Sequence, residues 1–318
     1  MPDRACSSPL CSRSKEERSR PEPFRNDPQS YDGFQDPSLP RALMTTPGTE
    51  WEFGSPSSSG LGGSKGYFDV ELLDGNALVG GGAHRGHTSR SGSAYYGQWK
   101  GSARHGVGLQ TFKDGARFLG TWVDNSVTGL GEFTHADRDV YVGQWRGNLA
   151  HGLGSYYHMK DETSYEGRWE EDLQHGPGVE IHQDGACYSG QFAWGKKHGF
   201  GVYEWPDGSV YSGQWRMNAI NGWGEHVGSD GRQFRGTWRD ARIHGYGVYT
   251  WPDGRKYGGQ YADDLEEGFG VFTWQDGRRF EGWWHQGKQH GDGTTFAPTG
   301  ELLKRGRWDM GKLNKELG

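Results

Sequence analysis

A pattern of aromatic and glycine residues recurs along this chain at a spacing of 23 residues. Each copy opens with an aromatic residue, has glycine two residues later and a second aromatic residue four residues later. Nine copies hold these columns in phase, with one spacing of 24 residues, and a Gly-x-Gly follows in each. Chance does not keep three columns in phase over nine units, so the chain is a repeat array. The opening aromatics are Tyr95, Phe118, Tyr141, Tyr165, Tyr188, Tyr211, Phe234, Tyr257 and Phe280.

Each copy has the residue alternation of a β-hairpin. In residues 188–210 the aromatic and glycine positions of the opening strand are spaced by two, and so are those of the return strand at 201–205. Residues spaced by two share one face of a strand, so both strands present an aromatic-and-glycine face. Pro-Asp-Gly at 206–208 suits a three-residue link to the next copy, because glycine takes the left-handed position.

We therefore predict an all-β protein in which residues 95–303 form nine stacked hairpins of one elongated, twisted, antiparallel sheet. Each hairpin adds two strands, or roughly 10 Å, which gives a length on the order of 85 Å. The glycine columns leave room for the large rings of adjacent strands, where a Cβ would collide. A hydrophobic content of 32% with a mean hydropathy of −0.93 is too lean for a large globular core and fits a thin repeat sheet.

The segments on either side of the array depart from the pattern. Residues 1–66 are rich in Pro, Ser and charged residues, and we predict a disordered tail there because they cannot bury enough apolar surface. Residues 67–94 are either a linker or a degenerate capping hairpin, since terminal units of repeat arrays are atypical. Residues 304–318 hold a partial tenth copy and a C-terminal cap, with a short capping helix predicted for 310–318.

The repeated motif resembles the MORN (membrane occupation and recognition nexus) repeat, over roughly two thirds of the chain. The resemblance rests on Tyr-x-Gly-x-Trp, six residues, a polar residue and Gly-x-Gly-x-aromatic, as in residues 188–210. Choline-binding repeats are also rich in glycine and aromatics, but they have a shorter period and paired Trp-Tyr motifs. The resemblance implies a scaffold that organises membrane junctions, cytoskeletal structures or axonemal complexes. Related arrays are fused to phosphatidylinositol-phosphate kinase or histone-methyltransferase domains; this chain ends at Gly318, so we expect neither domain.

The repeat background offers no pattern of catalytic residues. A histidine precedes the Gly-x-Gly in six copies, but equivalent positions lie roughly 10 Å apart and cannot share a metal ion. The glycine runs lack the Lys-Ser/Thr of a phosphate loop. Cys187 precedes a repeat tyrosine and is expected to pack rather than react. We therefore expect no enzyme, no cofactor and no metal.

Charge argues against long polyanionic ligands. Residues 95–303 hold 20 Lys and Arg against 27 Asp and Glu, a net charge of −7, which excludes the basic stripe that nucleic acid needs. Lipid contact is expected only locally, through Lys304, Arg305 and Arg307 of the basic tail or through lipidation of Cys6 or Cys11. Three scattered cysteines and the absence of an apolar leader or span suit a cytoplasmic chain, associated with the cytoskeleton or with membranes.

The aromatic face is the predicted binding surface. A single-layer sheet is not expected to bury all its rings, and aromatic side chains are enriched at interface hot spots. Acidic residues at 263–267 favour a basic amphipathic segment, and a second copy of the chain is an alternative partner. The main prediction is a non-enzymatic protein scaffold; the alternatives are a peripheral phosphoinositide-binding protein and a regulatory region of a lipid kinase. The predicted contact residues are Tyr203, Trp205, Trp238, Tyr249, Trp251, Tyr261, Phe272, Trp274 and Trp284.

Overall fold

The structure, a computed structural model, describes residues 84–317, and these residues form twenty-one β-strands and no helix. Within each repeat, segments of alternating residues form the strands, and two turns connect them. No helix among these residues could span a membrane. The strands are β1 (His84–Thr88), β2 (Ala94–Lys100), β3 (Ala103–Thr111), β4 (Arg117–Val123), β5 (Ser126–Thr134), β6 (Val140–Arg146), β7 (Leu149–His158), β8 (Thr163–Glu170), β9 (Leu173–Ile181), β10 (Cys187–Ala193), β11 (Lys196–Glu204), β12 (Val210–Arg216), β13 (Ala219–Val227), β14 (Gln233–Arg239), β15 (Arg242–Thr250), β16 (Lys256–Ala262), β17 (Leu265–Thr273), β18 (Arg279–His285), β19 (Lys288–Phe296), β20 (Leu302–Asp309) and β21 (Lys312–Glu316).

All twenty-one strands belong to one antiparallel sheet, in which each strand pairs with its neighbours in sequence. The all-β prediction of one open sheet of hairpin repeats is confirmed. Twenty steps between strands at about 4.8 Å give the described sheet a length of roughly 95 Å. Every repeat therefore contacts only the repeats before and after it, as in other one-dimensional arrays.

Two kinds of turn alternate along the sheet. The three-residue link predicted at 206–208 is present: Trp205 N–H donates to Ser209 O (2.9 Å), and Gly208 takes a φ of 85°. Inside each repeat lies a tight two-residue turn that the sequence interpretation left unassigned. Asp124 and Asn125 form one such turn with φ of 46° and 70°, the positive pair that suits the twist of a hairpin.

The two-residue turns also join neighbouring repeats. The backbone N–H of Asn125 donates to Arg104 O (3.0 Å), and the Arg104 N–H donates back to the Asn125 side chain (2.9 Å). Asp264 and Ile243 repeat this reciprocal pair farther along the sheet. The Asn and Asp side chains therefore continue the pairing between strands at an edge where the backbone ladder has ended.

One face of the sheet, called here the ring-bearing face, carries the opening aromatics and the second aromatics of all repeats. The Tyr211 ring lies across Gly224, where an added Cβ would overlap it, and its hydroxyl donates to Gln214 O (3.1 Å). The Trp215 ring meets Tyr211 edge-on at 5.5 Å and donates from Nε1 to Gly201 O (3.2 Å). The same contacts recur from repeat to repeat, so the core is a row of interlocking rings over glycine.

The two ends of the sheet test the predictions for the segments on either side of the repeat array. Strand β1 pairs with β2 ahead of the first repeat, and residues 1–83, with Cys6, Cys11 and the predicted disordered tail, lie outside the described residues. The helix predicted for 310–318 is wrong. Met310 and Gly311 form another two-residue turn, with φ of 47° and 88°, and β21 returns along β20.

Candidate functional site

The structure buries most of the predicted contact residues. Seven of the nine rings expose only 0–7% of their surface, whereas Tyr249 and Trp274 are partly buried. The expectation that a single-layer sheet leaves these rings exposed is therefore wrong for the seven. The opening aromatic of each hairpin lies over the hairpin's glycines and packs edge-on against the second aromatic of the next repeat, as Tyr257 does against Trp284, so contacts between repeats cover the rings. The buried rings are Tyr203, Trp205, Trp238, Trp251, Tyr261, Phe272 and Trp284.

The partly buried Trp274 lies beside the three-residue link of repeat eight. The Arg278 guanidinium stacks on its ring at 4.8 Å from the centroid and pairs with Asp276 at 2.7 Å. The acidic residues Asp263 and Asp264 lie in the two-residue turn at the opposite edge of the sheet, one strand length, or roughly 30 Å, away. The structure therefore does not bring these turn carboxylates next to Trp274.

A second column on the ring-bearing face, called here the facing column, lies opposite the second aromatic of each hairpin. It pairs in register with that aromatic, as Ile220 does with Trp215 and Glu266 with Tyr261. Its members range from aliphatic to charged, so the repeats differ strongly at this position of the face. The members are Arg104, Val127, Ala150, Gln174, Lys197, Ile220, Ile243, Glu266 and Gln289.

The two basic members of the facing column have partners. Arg104 stacks on Trp122 at 4.1 Å and donates to Gln110 Oε1 at 3.0 Å. Lys197 forms an ion pair with Glu180 and lies 5.3 Å from the Tyr188 ring centroid. Both cations are therefore held by an oxygen acceptor and an aromatic ring, a common way of stabilising a partly buried charge.

The Glu180 carboxylate stays ionised despite its burial. Burial by itself raises a carboxyl pKa, but hydrogen bonds from His182 (2.8 Å) and Lys197 outweigh it and lower the pKa of Glu180 to about 2. The Lys197 site of repeat five is therefore a complete ion pair at neutral pH.

Glu266, the acidic member of the facing column, has no such compensation. It is fully buried, and neither carboxylate oxygen has a hydrogen-bond partner among the described residues. The Tyr261 hydroxyl beside it also lacks one. Burial raises the pKa of Glu266 well above its ordinary value, so its neutral form is favoured. Repeat eight thus holds two buried polar groups that nothing in the described part of the chain satisfies.

The histidine column and Cys187 have structural rather than catalytic surroundings. Histidines of the predicted column accept bonds from the turn of the next repeat: His105 from the Asp124 N–H (3.4 Å) and His244 from the Asp263 N–H (3.4 Å). Residues 84–317 contain no group of three or more His, Cys, Asp or Glu able to hold a metal ion. Burial raises the pKa of the Cys187 thiol, which keeps it protonated and weakly nucleophilic.

The three basic residues predicted for lipid contact do not share a face. Lys304 takes the place of the opening aromatic on the ring-bearing face, while Arg305 and Arg307 alternate onto the other face. Arg307 is paired with Asp292 at 2.9 Å. A flat membrane could not contact all three side chains at once.

Sequence interpretation missed the face opposite the rings. The residue inside each Gly-x-Gly lies there and is aromatic in four successive repeats, at Phe200, Trp223, Tyr246 and Phe269. The signal was present in the repeat alignment as the variable position between two fixed glycines.

Comparison with protein families matches eight segments of the chain to the MORN repeat, covering more than half of its residues. Residues 118–140 fall between matched segments, yet β4 and β5 form the same hairpin there. A search of curated proteins found no match. The matched segments are 95–117, 141–159, 165–187, 188–210, 211–231, 234–254, 257–278 and 280–301.

Solved structures that are similar to this one share little sequence with it. The TCP10 domain of Danio rerio CPAP, in complex with a peptide of Danio rerio STIL, is 14% identical with a TM-score of 0.35, over 71% of this chain and 100% of that one. The E1021V mutant of the same Danio rerio domain is 12% identical with a TM-score of 0.33, over 70% and 99%. Scores this low give no basis for transferring a partner or a binding surface.

Proposed function

We propose that this chain, which belongs to the MORN-repeat family, is a non-enzymatic scaffold that binds a protein partner along its ring-bearing face. The proposal places it in the cytoplasm, in a cytoskeletal, axonemal or membrane-junction assembly. A sheet whose repeats contact only their neighbours offers a long surface without needing a globular core.

The observation that carries the proposal is the unsatisfied pair Glu266 and Tyr261. Burying a polar group without a partner costs about 1–3 kcal/mol. The free protein therefore lacks hydrogen-bond partners that a ligand could supply at repeat eight. A lysine or arginine from a partner would restore the pattern seen at Lys197 and Glu180, with the two charges exchanged between ligand and sheet. The supported partner is therefore a basic amphipathic segment.

The position of the segment follows from which rings retain exposure. Tyr249 and Trp274 are the two predicted contact residues that the sheet leaves partly uncovered, and they belong to repeats seven and eight. Glu266 lies on the same face at the start of β17, roughly 25 Å along that strand from Trp274. An amphipathic helix of about 17 residues, running along β17, would lay its apolar side on these two rings and direct a cation near its other end toward Glu266.

The test is titration of the full chain with a model amphipathic helix of leucine and lysine. We expect binding that weakens at least tenfold in Glu266→Gln and in Trp274→Ala, because each removes one half of the proposed contact. Leu130→Ala, on the other face, is the matched control and should change affinity less than twofold.

Two outcomes would overturn this proposal. One is equal binding of the peptide to the parent chain and to Glu266→Gln. The other is equal binding of a peptide in which glutamate replaces every lysine. Phosphoinositide vesicles are measured in parallel, and salt-sensitive binding to them that requires Lys304 would assign the surface to lipid instead.

A further inference from the structure

The face opposite the ring-bearing face carries an aromatic column of its own. In repeats five to eight the residue between the two repeat glycines lies on this face. Trp283, on the strand beside Phe269, extends the column, and the two rings meet edge-on with centroids 6.1 Å apart. We name this set the aromatic ladder; it consists of Phe200, Trp223, Tyr246, Phe269 and Trp283.

The ladder is exposed where the ring-bearing face is covered. Phe200 and Trp283 are each 53% exposed, and Tyr246 and Phe269 are 46% and 45% exposed. Trp223 is only partly exposed. About half of each of the other four side chains leaves an apolar surface on the order of 400 Å², as large as the largest patch on a typical monomer. Single exposed aromatic rings are ordinary on a protein surface, but a column of exposed rings in successive repeats is unusual.

Two ion pairs lie beside the ladder. Glu225 pairs with Arg235 at 2.9 Å, and Arg279 pairs with Glu281 at 2.7 Å, both on the same face as the ladder. A ligand would therefore be held by apolar contact and hydrogen bonds rather than by charge.

Glutamine side chains lie between the rings with a fixed orientation. Gln214 Oε1 accepts the Trp223 N–H at 2.7 Å, so its Nε2 group does not take part in this bond. Gln260 is held in the same way by the Phe269 N–H at 2.9 Å, and its Nε2 donates to the Tyr246 hydroxyl at 2.6 Å. A glutamine amide therefore lies between Phe200 and Trp223 and another between Tyr246 and Phe269. Thr237, between Trp223 and Tyr246, instead donates to His244 O at 2.6 Å.

The spacing of the ladder selects one ligand conformation. Successive rings are two strands apart, or ~9.6 Å. A polyproline II helix advances ~9.3 Å in its three-residue turn, so over the three steps from Phe200 to Phe269 the mismatch is only ~1 Å. Two turns of an α-helix advance ~10.8 Å and accumulate a mismatch of ~3.6 Å over the same steps. A β-strand presents alternate residues ~6.8 Å apart and does not match at all.

We propose that the aromatic ladder binds a proline-rich segment of a partner protein in the polyproline II conformation. One residue of each turn packs between neighbouring rings, and the solvated carbonyls of the ligand accept from the glutamine amides. The proposal concerns the opposite face from the scaffold contact above and does not rest on it. One chain could then hold two partners, one on each face of a single-layer sheet.

The experiment titrates the full chain with a labelled Ala-Pro-Pro repeat peptide of about twelve residues, ~37 Å long. We expect saturable binding that weakens at least tenfold in Tyr246→Ala and in Phe269→Ala. Leu130→Ala and Leu153→Ala change the same column where it is aliphatic, and they should weaken binding less than twofold. Trp274→Ala, on the ring-bearing face, should leave peptide affinity unchanged, which separates this proposal from the previous one.

The remaining outcomes count against the proposal. No binding to the parent chain overturns it, as does equal affinity for a peptide with alanine in place of every proline. The chain itself has nine prolines within residues 1–66, including a Pro-x-x-Pro at 37–40. If the peptide binds only after Pro37→Ala and Pro40→Ala are introduced into the full chain, the occupant is this segment and the proposed partner is wrong. Unfolding midpoints of all variants verify that the fold is intact.

Discussion

The two faces of this sheet are built from the same strands but obey different rules. On the ring-bearing face, a tyrosine or phenylalanine, two glycines and a second aromatic recur in nearly every repeat, because each ring fills the space left by the glycines. On the opposite face, the residue inside the Gly-x-Gly varies from Val107 to Asp292 without altering the strands. The comparison teaches that one face specifies the fold and leaves the other free to acquire binding specificity.

The largest effect is expected from removing a ring of the repeating core. Tyr211→Ala deletes a fully buried side chain that contacts two tryptophans and should lower the free energy of unfolding by about 3–5 kcal/mol. Urea unfolding followed by circular dichroism measures it. A loss below about 1 kcal/mol would contradict the view that these rings are the core.

A smaller effect, an increase in the free energy of unfolding, is expected from replacing Glu266 on the same face. Glu266→Ile gives repeat eight the side chain that repeats six and seven carry as Ile220 and Ile243. Removing an unsatisfied buried carboxyl should raise the free energy of unfolding by about 1–3 kcal/mol. Ile243→Val is the control that changes volume without polarity. Destabilisation by Glu266→Ile would mean that the carboxyl has a partner within the fold.

The pH dependence of stability separates Glu266 from the ordinary carboxylates. Its folded pKa is raised, so its contribution is intact below the ordinary value of 4.5 and is lost as pH rises toward the folded pKa. The loss amounts to about 1.4 kcal/mol for each unit of pKa difference. Glu180, whose pKa is lowered, acts in the other direction and only below 4.5. Unfolding of the parent chain and of Glu266→Gln from pH 4.5 to 7 should therefore diverge, and parallel curves would refute the assignment.

The smallest effect on stability is expected on the opposite face. Phe200→Ser removes a ring that is 53% exposed, so the free energy of unfolding should change by less than about 0.5 kcal/mol. The same urea measurement applies, with Tyr211→Ala as the reference. A loss comparable to that of Tyr211→Ala would erase the distinction between the faces.

The repeat pattern was sufficient to predict the hairpins and the three-residue link. Those features depend on local spacing: the phase of Tyr188 and Gly190, and the Pro-Asp-Gly at 206–208, are visible in one copy. The prediction of a helix at 310–318 was wrong because the residue types of Met310 and Gly311 do not by themselves indicate a turn. They can be identified as a turn only because they occupy the same position in the repeat as two-residue turns such as Met217 and Asn218.

The functional surfaces were harder to predict because they depend on contacts between repeats. Whether Trp251 is exposed is decided by Phe272 of the next repeat, whose ring packs against it at 5.4 Å. Glu266 is one of several acidic residues in its segment, and the sequence alone does not distinguish it from its exposed neighbours. Its isolation follows from the register that places it opposite Tyr261.

The pairing of every strand with its sequence neighbours alone has a mechanical consequence. Tension applied between the two ends of the sheet runs along the hydrogen bonds and across the strands, so the load falls on one strand pair at a time. The array would then open like a zipper, each released repeat of 23 residues lengthening the chain by up to ~75 Å while the repeats beyond it stay folded. A tether of this kind yields in steps under a pull, and it keeps the bound partners of its intact repeats in place while it does so.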